Sequence, residues 1–220
     1  MFNTRSITLD GSQVIPLAGA VPGLTGTNPF TLVMNVREDV SPGAGEIFSK
    51  RESNGDGIVI YSGASYVNVF MQKGSTRCRL QTDQSLVFPW QHLVWVSNGP
   101  LVADQAVYLN GVLCTVQTIQ DDLSGDLSNT EPMYIGRNFA AGMINAAMYG
   151  RALTLAEVQA LLVTVGSPTP VDPLTLPTQI DMVFSLPLGN IPDNKKTMHD
   201  VAGINVGSPV GTLVFSTDVP

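Results

Sequence analysis

Met133-Tyr-Ile-Gly-Arg-Asn-Phe-Ala-Ala-Gly-Met-Ile-Asn-Ala-Ala-Met-Tyr-Gly-Arg-Ala-Leu-Thr-Leu-Ala-Glu-Val-Gln-Ala-Leu-Leu162 reads as two short strands running into one capped amphipathic helix. The first strand covers Tyr134 and Ile135 before Gly136. The second runs from Met143 to Tyr149, where larger side chains alternate with Ala and Asn as a packed sheet requires. Thr154 and Glu157 stand three residues apart, the spacing of a capping box, and they open a run whose Leu155, Val158, Leu161 and Leu162 share one helical face. Gly166 and Pro168 are the stop signals. The expectation is one short helix over about 154–165.

Working outward, the residues before this stretch alternate in the same two-residue period. Ser6 to Leu17 reads as a hairpin around Asp10-Gly11. Phe30-Thr-Leu-Val-Met-Asn-Val-Arg37 places Phe30, Leu32, Met34 and Val36 on one side and Thr31, Val33, Asn35 and Arg37 on the other. Glu46 to Lys50, Ile58 to Tyr61, Val67 to Gln72 and Arg77 to Gln81 read as successive antiparallel strands, the first two joined by the tight turn Asn54-Gly-Asp-Gly57. Trp90 to Ser97 is a further strand. Gln105 to Val116 is a hairpin folded at Asn110-Gly111. Many strands at this spacing with a single late helix describe an all-β, two-sheet antiparallel sandwich.

The chain has 220 residues, enough for one sizeable core, with 21 Gly and 15 Pro and only 13% charged residues. That share is about half the usual one near 25%, so strands and turns dominate and much of the surface is uncharged. The net charge of −7 and the absence of a basic patch beyond Lys195-Lys196 and the spaced Arg77 and Arg79 exclude a nucleic-acid partner. No apolar run reaches the roughly 18 residues of a membrane span, and Met1-Phe-Asn-Thr-Arg5 lacks the apolar core of a signal peptide. The expectation is a protein made in a cytosol with no membrane partner. Cys78 and Cys114 lie on separate strands, without C-x-x-C spacing, and are expected to be free buried thiols.

Taken in order, Asp10-Gly11, Phe30 to Val36, Ile47 to Lys50, Trp90 to Val96, Val107 to Val112, Tyr134 to Arg137 and Arg151 to Val158 resemble the laminin-G-like branch of the concanavalin A-like lectin/glucanase superfamily. The resemblance covers most of Ser6 to Leu162 and implies a jelly-roll sandwich of two curved sheets. The family's usual opening, an F-x-L-P-L strand followed by a D-x-S-G turn, normally precedes the D-G element. Here its match comes at the other end, as Met182-Val-Phe-Ser-Leu-Pro-Leu188 and Asp200-Val-Ala-Gly203, with Ala202 in place of Ser. The chain therefore divides into a jelly-roll domain over 1–166, a Pro-rich linker over 167–179, and a strand-bearing segment over 180–220. One reading is circular permutation, with 180–220 completing the sandwich in cis or in a neighbouring subunit. The other is an extra hairpin packed outside a complete sandwich.

Relatives in the superfamily include glycoside hydrolases, which need two carboxylates about 5 to 5.5 Å apart for retention or about 6.5 to 9.5 Å for inversion. Glu38, Glu46, Glu52, Glu131 and Glu157 are scattered and do not form the E-x-D-x-x-E series that such a site places on one strand. His92 reads as a strand residue and His199 as a turn residue beside Asp200, and no G-x-S-x-G elbow or H-x-x-x-H pair is present. The chain is not expected to be an enzyme.

Two sets of candidate binding residues follow. Asp121, Asp122 and Asp126 in Asp121-Asp-Leu-Ser-Gly-Asp126 could supply hard oxygen ligands to Ca²⁺, as several laminin-G-like domains do at a sheet rim; the competing reading is a solvated turn. Trp90, Tyr61, Tyr66 and Tyr149 stand near strand ends or loops, where an aromatic can face a sugar, and each is equally suited to the core. The resemblance and the low charge together imply a non-enzymatic structural or interaction module. Its expected setting is the surface of a tailed-bacteriophage virion, as capsid decoration, head fibre or tail appendage, with homo-oligomeric or other virion subunits as partners. The alternative is a calcium-assisted lectin or adhesin for a cell-surface glycan, and a remoter one is a polysaccharide-active enzyme.

Overall fold

A computed structural model describes residues 6–12, 14–17, 28–38, 45–86, 90–164, 167–170, 182–186 and 214–216. Two antiparallel sheets face each other. The first contains, in spatial order, β10 (Val112–Leu113), β9 (Gln105–Leu109), β8 (Gln91–Ser97), β3 (Phe30–Glu38), β13 (Ala140–Tyr149), β1 (Ser6–Asp10) and β17 (Val214–Ser216). The second contains β11 (Val116–Asp121), β7 (Thr76–Thr82), β6 (Tyr66–Lys73), β5 (Gly57–Gly63), β4 (Gly45–Arg51), β12 (Met133–Arg137) and β2 (Ile15–Leu17). This is the all-β, two-sheet antiparallel sandwich that the alternation predicts, in the jelly-roll form that the resemblance implies.

The period-two pattern of β3 is realised in full. Phe30, Leu32, Met34 and Val36 point between the sheets and meet Leu93 and Trp95 of β8, Met143 and Met148 of β13, and Ile58, Ile60, Val69, Met71, Leu80 and Ile135 of the opposing sheet. The Phe30 and Trp95 rings meet edge to face, with centroids 5.0 Å apart and planes at 80°. The indole N–H of Trp95 donates to Gln105 Oε1 at 2.9 Å, so the largest core side chain buries no unpaired polar atom.

A second, smaller core lies on the outer side of the first sheet. Val33, Val94, Val96, Ala147 and Tyr149 pack there against Leu153, Val158 and Leu161, which arrive from the short helix α1 (Leu155–Ala160) and its flanks. The capping box forms as the sequence predicts. Glu157 N–H donates to Thr154 Oγ1 at 3.3 Å and Thr154 N–H to Glu157 Oε2 at 2.8 Å. Arg151 grips the same carboxylate through both terminal nitrogens, at 3.0 and 2.7 Å.

Three local expectations are corrected. Ser6 to Leu17 is no hairpin: β1 pairs with β13 and β17 in the first sheet, whereas β2 pairs with β12 in the second. Gly11, at φ +90°, turns the chain across the sandwich, and both flanking apolar residues, Leu9 and Ile15, are buried. The helix stops at Ala160, short of 165, because Val163-Thr164 are β-branched and continue as β14 (Leu162–Thr164), paired with β15 (Ser167–Pro170). Leu155 is half exposed and does not join Val158 and Leu161 on the buried face.

β16 (Met182–Leu186), the F-x-L-P-L strand of the sequence, pairs antiparallel with β13 over Ala146 to Tyr149, while β1 occupies the same edge of β13 over Ala140 to Met143. One long strand thus carries β3 on one side and shares its other side between the N-terminal and C-terminal strands. The D-x-S-G counterpart at Asp200, together with His199, Lys195 and Lys196, lies outside the described residues.

Candidate functional site

The outer face of the second sheet is assembled by register. In one row Arg137, Glu46, Tyr61, Asn68, Gln81 and Gln117 are successive cross-strand neighbours. In the next, Tyr134, Ser49, Val59, Phe70 and Arg79 follow one another across β12, β4, β5, β6 and β7. Two irregularities bring these rows onto one face. A bulge at Ile47 shifts β4 so that Glu46 stands opposite Tyr61, and Gly136, at φ +77°, turns β12 so that Arg137 follows. The position is restricted to glycine twice over, since an added Cβ would also collide with Leu9.

The face is aromatic and polar together. Tyr61, Tyr66, Phe70 and Tyr134 are half-buried, leaving ring surface open. Arg79 lies over the Phe70 ring at 5.9 Å and Arg137 over Tyr134 at 5.7 Å. Arg51 reaches over Ser49 to pair with Glu46 Oε1. Between these groups sit side chains that are almost wholly buried: Ser49 at 0% exposure, Asn68 at 1% and Glu46 at 8%. Their Ser49 Oγ, Asn68 Nδ2 and Glu46 Oε2 atoms have no protein hydrogen-bond partner. Arg77 Nε, cross-strand from Gln72 on the same face, is a fourth such atom, and polar atoms withheld from water without a partner cost roughly 1–3 kcal/mol each.

One end of this sheet is fastened by Lys50. Its ammonium, 3% exposed as a residue, donates to Asn129 O at 2.8 Å, Asn129 Oδ1 at 2.9 Å and Glu131 O at 2.9 Å. Burial pushes its pKa down, against the pull of Glu131 and Glu52. The loop before β12 is therefore held to β4 by a cation that serves structure.

The four aromatics singled out from sequence divide between the two sheets. Tyr61 and Tyr66 lie on the face just described, Tyr66 with its ring over Gly63. Trp90 is 4% exposed on the outer side of the first sheet, beneath the Arg37 guanidinium at 5.2 Å and against Gly142. Tyr149 is 0% exposed within the second core. Phe70, Tyr134, Glu46, Ser49 and Asn68 were not singled out, although the alternation Tyr66, Asn68, Phe70, Gln72 along β6 was the signal that could have found part of this face.

The three aspartates do not converge. Asp121 Oδ1 accepts from Val102 N–H at 2.7 Å, and Asp122 Oδ1 accepts from Arg77 N–H and Gln120 Nε2 at 2.8 Å each. Asp126 accepts from Ser128 N–H and Oγ at 2.8 and 2.7 Å, which holds its carboxyl below the usual range. Among the described residues no three His, Cys, Asp or Glu side chains are grouped as a metal would need, so this loop does not fit a shared calcium ion. Glu46, the carboxylate on the aromatic face, has Tyr61 and Arg137 as cross-strand neighbours, so no second carboxylate stands directly opposite it.

His92 is buried in a row with Asn35 and Asn145, whose side chains bond each other. Burial pushes its pKa down to about 4, and its Nδ1 has no protein partner. Cys78 and Cys114 are free and buried, their thiols pushed up to about 12 and about 11 chiefly by burial, which leaves both unreactive. No helix among the described residues is long and apolar enough to cross a membrane.

Several solved structures share this architecture. A Bacteroides ovatus protein provisionally described as carbohydrate binding aligns with a TM-score of 0.68 at 16% identity, over 100% of this chain and 62% of its own. This chain thus spans less than two thirds of that protein. The native heptameric SAP-like pentraxin of Limulus polyphemus aligns with a TM-score of 0.55 at 16% identity, over 94% of this chain and 95% of its own. Domains LG4-5 of the mouse laminin alpha1 chain align with a TM-score of 0.52 at 12% identity, over 69% and 43% respectively. At these identities the likeness is one of fold. No curated protein matches the sequence. The family match is direct and covers residues 9–159, from the last residues of β1 to the helix, and on it this chain belongs to the concanavalin A-like lectin/glucanases superfamily, in its laminin-G branch.

Proposed function

We propose that this chain is a non-enzymatic binding module that holds a carbohydrate against the outer face of the second sheet, and that it does so on the surface of a bacteriophage virion. The observation that carries the carbohydrate reading is the combination of half-open aromatic rings with three buried, unpartnered polar atoms at Glu46, Ser49 and Asn68. Rings give a saccharide an apolar platform, and fixed polar atoms give it orientation. The B. ovatus neighbour, with its provisional carbohydrate-binding description, supports the same reading at the level of fold.

The virion setting draws its support from the low charge, the laminin-G-like fold and an apolar lateral side. Of the five exposed large apolar side chains among the described residues, Leu101, Val112, Leu113 and Ile119 belong to β10, β11 and the turn packed on β11, and no residue from Gln105 to Gln120 is charged. β10 carries no charge and β11 carries none before its last residue, Asp121, so few charges keep these edges apart, which suits contact with other subunits. We also take the jelly roll over 1–166 and the strands of 180–220 as one folding unit, with the C-terminal strands completing the first sheet in cis.

Binding to immobilised polysaccharides tests the first part: retention on at least one supports it, and silence across neutral and acidic polymers would end it. Sedimentation and co-purification test the second. Incorporation into particles, reduced by Ile119→Lys, is the expected outcome. A protein that stays monomeric at every concentration and never accompanies particles contradicts it.

A further inference from the structure

The arginines of the second sheet are gathered where its unpartnered donors lie. β7 sends Arg77 and Arg79 to the outer face two residues apart, opposite Gln72 and Phe70 of β6, so their Cα atoms stand roughly 7 Å apart on one side of the strand. Arg51 comes to the same face from β4 and Arg137 from β12. These are four of the chain's eleven Lys and Arg residues. Among the outward positions of β12 and of β4 to β7 they meet one carboxylate, Glu46. Asp122 stands beyond β7, its Oδ1 accepting from Arg77 N–H and Gln120 Nε2.

The unsatisfied atoms are mostly donors. Arg77 Nε and Asn68 Nδ2 donate only, Ser49 Oγ does either, and Glu46 Oε2 alone is restricted to accepting. Glu46 gives its other oxygen to Arg51, so its charge is offset within the protein. Arg79 lies over the Phe70 ring with its Nε 3.4 Å from Asn68 Oδ1, which leaves the Asn68 amide nitrogen as a further donor beside it. Among the described residues no carboxylate forms an ion pair with Arg77, Arg79 or Arg137. The uncompensated charge of this face is therefore positive. The net charge of −7 acts mainly from elsewhere on the molecule. At about 0.1 M salt the screening length is about 10 Å, whereas the face spans roughly 19 Å from β12 to β7, so an acid group in reach of two guanidiniums answers to them first. Resting on the carbohydrate reading above, we infer that the site takes an acidic saccharide, its carboxylate or sulfate held by Arg77 and Arg79. Asn68 Nδ2 donates to, and Glu46 Oε2 accepts from, hydroxyls on either side of Tyr61. From β7 to β4 is three strand spacings, roughly 14 Å, so the bound segment contains more than one sugar ring.

The experiment measures affinity for matched pairs of polymers, polygalacturonate against its carboxyl-reduced galactan and dextran sulfate against dextran, at about 0.05 M and about 0.5 M salt. The expected result is that the acidic member of at least one pair binds at least about tenfold tighter than its neutral partner and weakens at least about fivefold at the higher salt. Which pair does so identifies the acid group as carboxylate or sulfate. Arg77→Met is expected to weaken acidic binding at least about tenfold without lowering the thermal midpoint, because it removes a buried donor that has no partner; a fall in the midpoint with binding retained would make Arg77 structural. Arg79→Gln, at a half-buried position, is expected to weaken binding at least about tenfold and carries the test should Arg77→Met fail to fold. Tyr61→Ala is expected to weaken it at least about fivefold, which adhesion by charge alone would not show. Neutral polymers bound as tightly as their acidic partners, indifference to salt, or folded arginine variants that bind unchanged overturn this inference and leave the carbohydrate reading standing. Failure to bind any polymer overturns both.

Discussion

Lowering the pH from 7 to 4.5 challenges one buried imidazole, His92. The ring is 1% exposed, stands in a row with Asn35 and Asn145, and has no partner at Nδ1 that could reward protonation. Burial depresses its folded-state pKa to about 4, against 6.5 for an ordinary histidine. Between these values the unfolded chain takes up a proton that the folded chain refuses. The stabilisation is fully present above about pH 6.5 and is lost as the pH falls towards 4, with a slope approaching about 1.4 kcal/mol per pH unit. Integrated from pH 7 to 4.5 the loss is about 2.5 kcal/mol, a large part of the roughly 5–15 kcal/mol that holds a typical domain together. Urea unfolding at a series of pH values reads this as a fall in the midpoint of about 1 M, taking a slope of about 2 to 3 kcal/mol/M. His92→Gln keeps the backbone bonds by which Asn110 clasps residue 92 and removes the titration, so the difference between wild type and variant isolates the imidazole from carboxylates that titrate in the same range. Parallel pH curves for the two proteins would refute the reasoning.

Other expectations concern the frame around the binding face. Lys50→Met leaves the carbonyls of Asn129 and Glu131 without their donor and should cost roughly 2–4 kcal/mol, read as a fall in the thermal midpoint. Gly136→Ala meets both a positive φ and the Leu9 side chain, so it should destabilise by at least about 2 kcal/mol and disturb the β12 turn that carries Arg137. Glu157 is held down to about 2, first by Arg151 and then by the Thr154 cap, so its contribution is present above about pH 4.5 and disappears as the pH falls to 2. Glu157→Gln should therefore lower stability at pH 7 and leave it unchanged at pH 2.

Much of the sandwich was legible because alternation is a local property. The two sides of β3, the hairpin at Asn110-Gly111 with both residues at positive φ, and the Thr154–Glu157 box all follow from residues a few positions apart. The Asp10-Gly11 signal misled for the complementary reason: a turn motif fixes the direction of the chain but not the sheet that receives it. β1 and β2 find partners more than a hundred residues away, on different sheets. The helix end misled because its stop signals were sought at Gly166, whereas the β-branched pair Val163-Thr164 had already returned the chain to strand geometry.

The site was less legible. Alternation shows that a strand has two faces and is silent on which face is roofed. Trp90 and Tyr149 stood out as large aromatics beside turns, yet the first sheet's outer side is covered, in part by α1, and both are buried there. On the second sheet the aromatic face depends on the bulge at Ile47, which moves Glu46 into register with Tyr61, and a one-residue shift of that kind has no signature in composition or spacing. In the acidic loop, proximity in sequence is not convergence in space. Its three carboxylates each turn to a different backbone or side-chain donor.

The most direct test of the central claim is to locate a bound saccharide by titrating isotope-labelled protein with an oligosaccharide of the polymer it binds and following backbone and side-chain amide resonances. The predicted shifts cluster on β4, β5 and β6, with the Asn68 side-chain amide among the largest and Tyr61 and Ser49 beside it. Shifts gathered instead at Asp121 to Asp126, or around Trp90 on the first sheet, would contradict the account.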